Sequence, residues 1–321
     1  MNLRQTVCAL ALALFAVPSA AQTSKPPVIG FMSVGEPELT LHAFRDGLRE
    51  FGYVEGRNIA LEVRFAESGR ENLDASAAEL VARKVNIIVA GGSDVIRAAM
   101  RATSTVPIVM AQTSDAVGSG FVINLARPGG NVTGVTSLAG ELGAKRLQLV
   151  KEILPTAKHI GVIWNSANPS HPPGLDVLQR AALVLGMQIR PIEVRTADDF
   201  NRAFADFRIT RPDAVLVLPD SRIMKERDRF VQLAAAARLP VMYWRKEFVE
   251  LGGLIAYGAD NPAQYRRAAI YVDKILKGAK PGDLAVEQVS HYDLLVNLKA
   301  ANEIGLRIPT SVLLRANRVI E

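Results

Sequence analysis

Six short polar stretches hold the side chains that could do chemistry on a ligand. They are Ser33–Pro37, Gly91–Ser93, Gln112–Asp115, Asn165–Asn168, Asp220–Ser221 and Tyr257–Asn261. Each follows a short apolar run. Ser33, Ser93, Thr113, Ser114, Asn165, Ser166 and Asn168 can both donate and accept hydrogen bonds, and open backbone N–H groups around Gly91 suit a carboxylate. Asp115 and Asp220 suit an ammonium group. Trp164 ends an apolar run directly before Asn165, where its ring could floor a pocket or join a core. Tyr257 poses the same question. These residue types are also preferred helix N-caps and turn formers, so any one position is explained as well by a cap as by a ligand. Their recurrence after successive apolar runs is what favours a binding cleft.

Catalytic and cofactor signatures are missing from the sequence. The first apolar run, VIGFMSVGEP, has only Gly30 and Gly35, short of the G-x-G-x-x-G pattern that cradles a dinucleotide. Neither a G-x-x-x-x-G-K-[ST] phosphate loop nor a G-x-S-x-G nucleophile elbow occurs. The four histidines are scattered, with no spacing that would gather a metal. Asp198-Asp199 pairs two carboxylates, but at a helix start, where they offset the macrodipole. No cofactor, metal or catalytic residue is expected.

The elements that must position these loops alternate in type. Val28–Met32, Ile59–Phe65, Ile87–Ala90, Val106–Met110 and Val132–Val135 read as buried parallel strands. Leu41, Phe44, Leu48 and Phe51 mark one intervening helix, and Leu73, Ala77, Leu80 and Val81 another. Around Arg127–Pro155 the scheme restarts. Ile160–Trp164, a Met187–Val194 strand broken at Pro191, Ala214–Leu218, Val241-Met242 and Leu254–Tyr257 read as a second set. Their predicted helices include Ala197–Phe207 and one long helix from Ser221 to Ala237. Pro262–Lys277 is a further helix, followed by extended Leu284–Val289 and apolar Leu294–Leu298. Two α/β lobes with doubly wound parallel sheets follow, and ligands of such sheets bind beyond the carboxyl ends of the strands.

With 321 residues the chain accommodates two lobes, and its 49% hydrophobic and 22% charged content is that of a globular protein. Arg4, an apolar run from Val7 to Val17 and Pro18-Ser19-Ala20-Ala21 read as a secretory signal peptide over residues 1–21. That apolar run is about half of the ~20 residues needed to span a bilayer. Cys8, the only cysteine, lies inside it, so the mature chain has no thiol. Loss of Arg4 leaves 37 basic and 32 acidic residues, a net +5 spread along the chain. That distribution does not suit nucleic-acid binding.

The motifs FGYVEGRNI, TSTVPIVM, LARPGGNVTGVT, KRLQLVKEILP, ELGGLIAYG, RRAAIYVDKILKGAKPGDLAVEQ and NLKAANEIGLRIP resemble the ABC-transporter substrate-binding family that includes tryptophan- and tyrosine-binding members. The likeness runs from about Val28 to the C-terminus. It implies a type I periplasmic-binding-protein fold, with two Rossmann-like lobes joined by a hinge of three crossings. One lobe would comprise residues 28–137 and 260–285, the other 138–259 and 286–321. It further implies a monomeric, non-enzymatic periplasmic protein that captures a small solute and delivers it to a permease and an ATPase. By motif, ligand contacts would fall on Thr113, Ser114 and Asp115, on Asn165, Ser166 and Asn168, and on Asp220. Asp115-Ala116 stands where members often have Asp-Pro, and His171-Pro172-Pro173 departs from the aromatic-amino-acid binders. A ligand-sensing module that signals to a membrane partner and an α/β enzyme are the alternatives.

Overall fold

The computed structural model describes residues 25–34, 37–65, 70–137, 139–290 and 292–321. The expected signal peptide lies outside them. The chain opens with β1 (Val28–Ser33), α1 (Pro37–Glu50), β2 (Ala60–Phe65) and α2 (Arg70–Ala82). It continues through β3 (Ile87–Gly91), α3 (Ser93–Ala102), β4 (Ile108–Gln112) and β5 (Val132–Thr136). A second series begins with α4 (Ala139–Ile153), β6 (His159–Trp164), α5 (His171–Val184), β7 (Gln188–Glu193) and α6 (Ala197–Thr210). Then come β8 (Ala214–Val217), α7 (Ser221–Lys225), α8 (Arg227–Ala236), β9 (Val241–Tyr243), α9 (Lys246–Glu250) and β10 (Ile255–Ala259). The last part comprises α10 (Asn261–Leu276), β11 (Glu287–Gln288), β12 (Tyr292–Asn297), α11 (Leu298–Glu303), α12 (Thr310–Leu313) and β13 (Arg318–Ile320).

Among the described residues these strands form two sheets, ordered β11-β5-β4-β3-β1-β2 and β13-β12-β10-β9-β8-β6-β7. Pairing is parallel throughout except between β10 and β12. Helices cover both faces, so the inner strands are buried on both sides and read as unbroken apolar runs. Along β3 the side chains alternate. Ile87 and Val89 pack with Phe44 and Leu48 of α1 and Ala269 and Val272 of α10. Ile88 and Ala90 pack with Leu80 of α2 and Val95 of α3. The second sheet is sandwiched in the same way, with α4 and α5 on one face and α6 and α8 on the other.

The chain passes between the sheets after β5, after β10 and after β11. The return of α10 to the first sheet is fixed by Gly47, where a Cβ would lie 2.4 Å from the Arg266 carbonyl oxygen. β11 pairs with β5, so the chain leaves the first sheet after Gln288.

Three elements differ from the sequence reading. β7 runs unbroken through Pro191, because it is an edge strand whose missing N–H faces no partner. The long helix from Ser221 is two, α7 and α8, separated at Glu226 with φ −99° and ψ 21°. The second sheet also takes in β13, a three-residue edge strand too short for periodicity to register, beside β12, the apolar Leu294–Leu298 segment extended into an antiparallel strand.

Candidate ligand-binding site

The carboxyl ends of the two sheets face each other, and a cavity of about 60 Å³ lies between them. All six polar stretches contribute to its wall: Ser33, Gly91 and Ser93, Gln112 and Ser114, Asn168, Asp220 and Ser221, and Asn261. Trp244 and Arg245, after β9, add a seventh. Of the residues named from sequence, Ser33, Gly91, Ser93, Ser114, Asn168 and Asp220 line the cavity. Thr113 and Asn165 stand directly behind it. The structure places Asp115, Trp164, Ser166 and Tyr257 elsewhere.

The first lobe supplies a helix start. Gly92, at φ 108°, turns the chain from β3 into α3, a conformation open to glycine. Gly91 has a steric task as well: a Cβ there would lie 1.5 Å from the Tyr265 hydroxyl, so this glycine admits the ring of α10 to the cleft wall. Tyr265 Oη is 3.2 Å from Ser33 Oγ, and burial raises its pKa. Asp94, in the first turn of α3, is a cavity residue beyond those expected from the sequence. Its Oδ1 accepts from the Val95 N–H and its Oδ2 from the Ser221 hydroxyl of the opposite lobe. Enclosure by protein and the nearby Asp220 carboxylate both raise its pKa.

The second lobe is organised around Asp220. As N-cap of α7 it accepts from the Arg222 and Ile223 N–H groups at 3.0 and 3.4 Å through Oδ1. Through Oδ2 it accepts from Asn165 Nδ2 at 3.1 Å and Asn168 Nδ2 at 3.2 Å. These bonds occupy the lone pairs a carboxylate offers. Asp220 therefore holds the loop in place and contributes negative field, while Asp94 keeps capacity for another donor. His171, 1% exposed, ties the same loop down. Its Nδ1 accepts from the Asn165 N–H at 2.8 Å, and its Nε2 lies 2.9 Å from the Pro219 carbonyl oxygen. Both bonds require the neutral ring protonated at Nε2, and burial lowers the pKa in the same direction.

Four hydroxyls cross the cleft in a chain. Ser170 of the second lobe donates to Ser93 Oγ at 2.6 Å and meets Ser119 Oγ at 2.8 Å. Ser93 in turn is 3.0 Å from Thr113 Oγ1. The lobes are thus closed on one another. Arg245 reaches the cavity while paired with Glu247, to which its Nε donates at 3.0 Å.

The remaining expected site residues have structural partners. Asp115 Oδ1 accepts from the Gly118 N–H at 2.8 Å, a turn-capping bond. The Trp164 ring packs against the core beneath α4 and α5. Ser166 Oγ accepts from Arg195 at 2.6 Å. Tyr257 lies on the hinge side, its ring 6.0 Å from Tyr292 and its carbonyl accepting from buried Arg146 at 2.7 Å. Burial lowers the Arg146 pKa to about 10. Sequence signals for the two unanticipated charges were unequal. Asp94 directly follows the Gly91–Ser93 stretch, whereas Arg245 follows a strand of three residues that gives almost no pattern.

Residues 25–320 match the ABC transporter substrate binding protein family. The chain belongs to that family. It is 27% identical over 254 residues to a tyrosine-binding protein of Clostridioides difficile, covering 79% of this chain and 73% of the relative. A conserved domain protein of Vibrio cholerae superposes with a TM-score of 0.87 at 28% identity, over 92% of this chain and all of that one. An ABC domain of Streptococcus pneumoniae in complex with L-tryptophan does so with a TM-score of 0.86 at 26% identity, again over 92% and all of the two chains. The fold, two α/β lobes with largely parallel sheets, is that of the type I periplasmic binding proteins. Members of the family are substrate-binding proteins of ABC transporters.

Proposed function

We propose that the protein captures a small α-amino acid between its lobes and presents it to a membrane permease driven by an ATPase. The observation that carries this reading is a closed inter-lobe cavity with charges of both signs in its wall, Asp94 on one lobe and Arg245 on the other. Asp94 accepts the ligand ammonium, strengthened by the field of Asp220. Arg245, which keeps donors beyond those held by Glu247, takes the carboxylate end. Tyrosine and tryptophan, named for two relatives, both carry these two groups. No catalytic step is assigned. Residues 1–21 direct export to the periplasm, and among the described residues no helix is long and apolar enough to cross a membrane.

Capture follows from closure. In an open form each lobe offers its loops to solvent; the ligand bridges them, and the three crossings bend. The test is a thermal-shift panel on mature protein that has been unfolded and refolded to strip carried-over solute. A ligand at a hundredfold excess over its Kd stabilises by about 2.7 kcal/mol. Amino acids should raise the melting temperature while sugars and nucleosides leave it unchanged. A shift confined to sugars or nucleosides would contradict the reading.

A further inference from the structure

A second cavity, of about 290 Å³, lies in the second lobe, toward the amino ends of β9 and β10 and so away from the cleft. It is framed by α8, the start of β9, the Gly252–Leu254 turn before β10, and α11. No residue lines both cavities. The inner wall is apolar: Val231 and Val241 belong to the core on one face of the sheet, and Leu254 to the core on the other. Arg238 and Glu303, both exposed, mark the mouth. Arg238 holds φ 52°, uncommon for a residue other than glycine, and its Nη2 donates to the Glu303 carbonyl oxygen at 2.6 Å. That bond ties α8 to α11 and keeps the cavity's frame in place.

One buried polar group interrupts the apolar wall. Tyr243 is 1% exposed and lines the cavity, and among the described residues no hydrogen bond reaches its hydroxyl. Its ring is held so that the hydroxyl cannot swing elsewhere. The ring stacks on Phe248 at 4.7 Å and 9°, and meets Phe230 edge-on at 6.3 Å. Gly253 fits against its edge, since a Cβ there would lie 2.8 Å from Tyr243 Cε2. A buried hydroxyl without a partner destabilises the fold, and a ligand that supplies the partner relieves this. An apolar cavity of about 150 Å³ accepts benzene, so roughly twice that volume takes a ring with a substituent. Arg238 and Glu303 are the charged residues of the lining, one of each sign and both at the mouth, so an ion inside would be desolvated without a counter-charge. We infer that this cavity is a second ligand site, separate from the cleft, for a small neutral ring compound of the phenol class whose hydroxyl pairs with that of Tyr243. It does not depend on which solute the cleft carries.

Calorimetric titration of the refolded mature chain with phenol, toluene, benzoate and benzylammonium tests it, in the wild type, Tyr243→Phe and Ala300→Phe. Phenol should bind the wild type one-to-one and at least tenfold tighter than either ion. Tyr243→Phe keeps the ring packing, so its unfolding midpoint should not fall. Phenol should nevertheless bind it roughly two- to tenfold more weakly, as expected for one neutral hydrogen bond, while toluene binds no more weakly than before. Ala300→Phe fills the cavity from α11 and should abolish binding of both; should that variant not fold, the phenol-to-toluene ratio in Tyr243→Phe decides alone. A merely structural hydroxyl would instead lower the midpoint and leave that ratio unchanged. An unchanged ratio, no binding of phenol, or tighter binding of benzoate or benzylammonium overturns the inference.

Discussion

Asp94 and Asp115 show how identical side chains divide between ligand and structure. Both follow a strand end in the first lobe, but Asp115 bends back to cap the Gly118 N–H, while Asp94 faces the opposite lobe across the cavity. Asp94→Asn removes a charge-assisted contact worth about 1.5–3 kcal/mol, so the dissociation constant should rise by roughly ten- to hundredfold. Asp115→Asn keeps the capping oxygen and should leave affinity within about threefold, measured by the same titration. His171 makes the loop sensitive to acid. Its folded-state pKa lies below the ordinary value of about 6.5, so the unfolded chain takes up a proton first as the pH falls. Its contribution is full above about pH 6.5 and declines as the pH drops toward the depressed folded value. Thermal melts between about pH 7 and 5 should show this loss, and His171→Asn should flatten that part of the profile. The sequence offered Asp220 and the Asn165–Asn168 loop as ligand contacts; their mutual hydrogen bonds, which make Asp220 an organiser, join residues some 52 to 55 positions apart and leave no local trace.

At the scale of elements, the strands that end in the cleft were legible because both their faces are buried and their loops are polar. β1, β3 and β4 are short apolar runs ending in Ser33, Gly91 and Gln112. The second half was legible in its longer elements, α10 above all, and less so in its shortest ones. β9 and β13 have three residues each, and the break between α7 and α8 carries neither Pro nor Gly. Two contacts between elements give predictions. Gly91→Ala would drive a Cβ into the Tyr265 hydroxyl, and the resulting displacement should cost about 1–3 kcal/mol in denaturant unfolding and weaken binding. Ser170 at the start of α5 reaches between Ser93 and Ser119 of the other lobe and so latches closure. Ser170→Ala should leave the unfolding midpoint of each lobe nearly unchanged. It should, however, speed ligand release several-fold in stopped-flow displacement, because only the closed form loses bonds.

For the whole molecule, two sheets joined by three chain crossings make a body that can bend without unfolding either core. Each core is enclosed by its own helices, and among the described residues the lobes are joined by polar bonds such as the serine chain and the Asp94–Ser221 pair. Such contacts compete with water in the open form, so the balance between open and closed falls to the ligand. The radius of gyration in solution scattering should therefore decrease on saturation with the bound amino acid, and less so in Asp94→Asn at equal concentration. Two-lobed architecture was readable from the restart of the strand–helix alternation near His159. The chemistry of the closed cleft was not, because Asp94, Arg245 and Asn261 meet only when lobes from distant parts of the chain come together. Whether the cleft is an amino-acid site held by Asp94 is decided by calorimetric titration of amino acids into refolded wild-type protein and Asp94→Asn. At least one amino acid should bind the wild type one-to-one, with a loss of tenfold or more in the variant. Equal affinity in the two proteins, or no amino acid bound by either, would contradict that assignment.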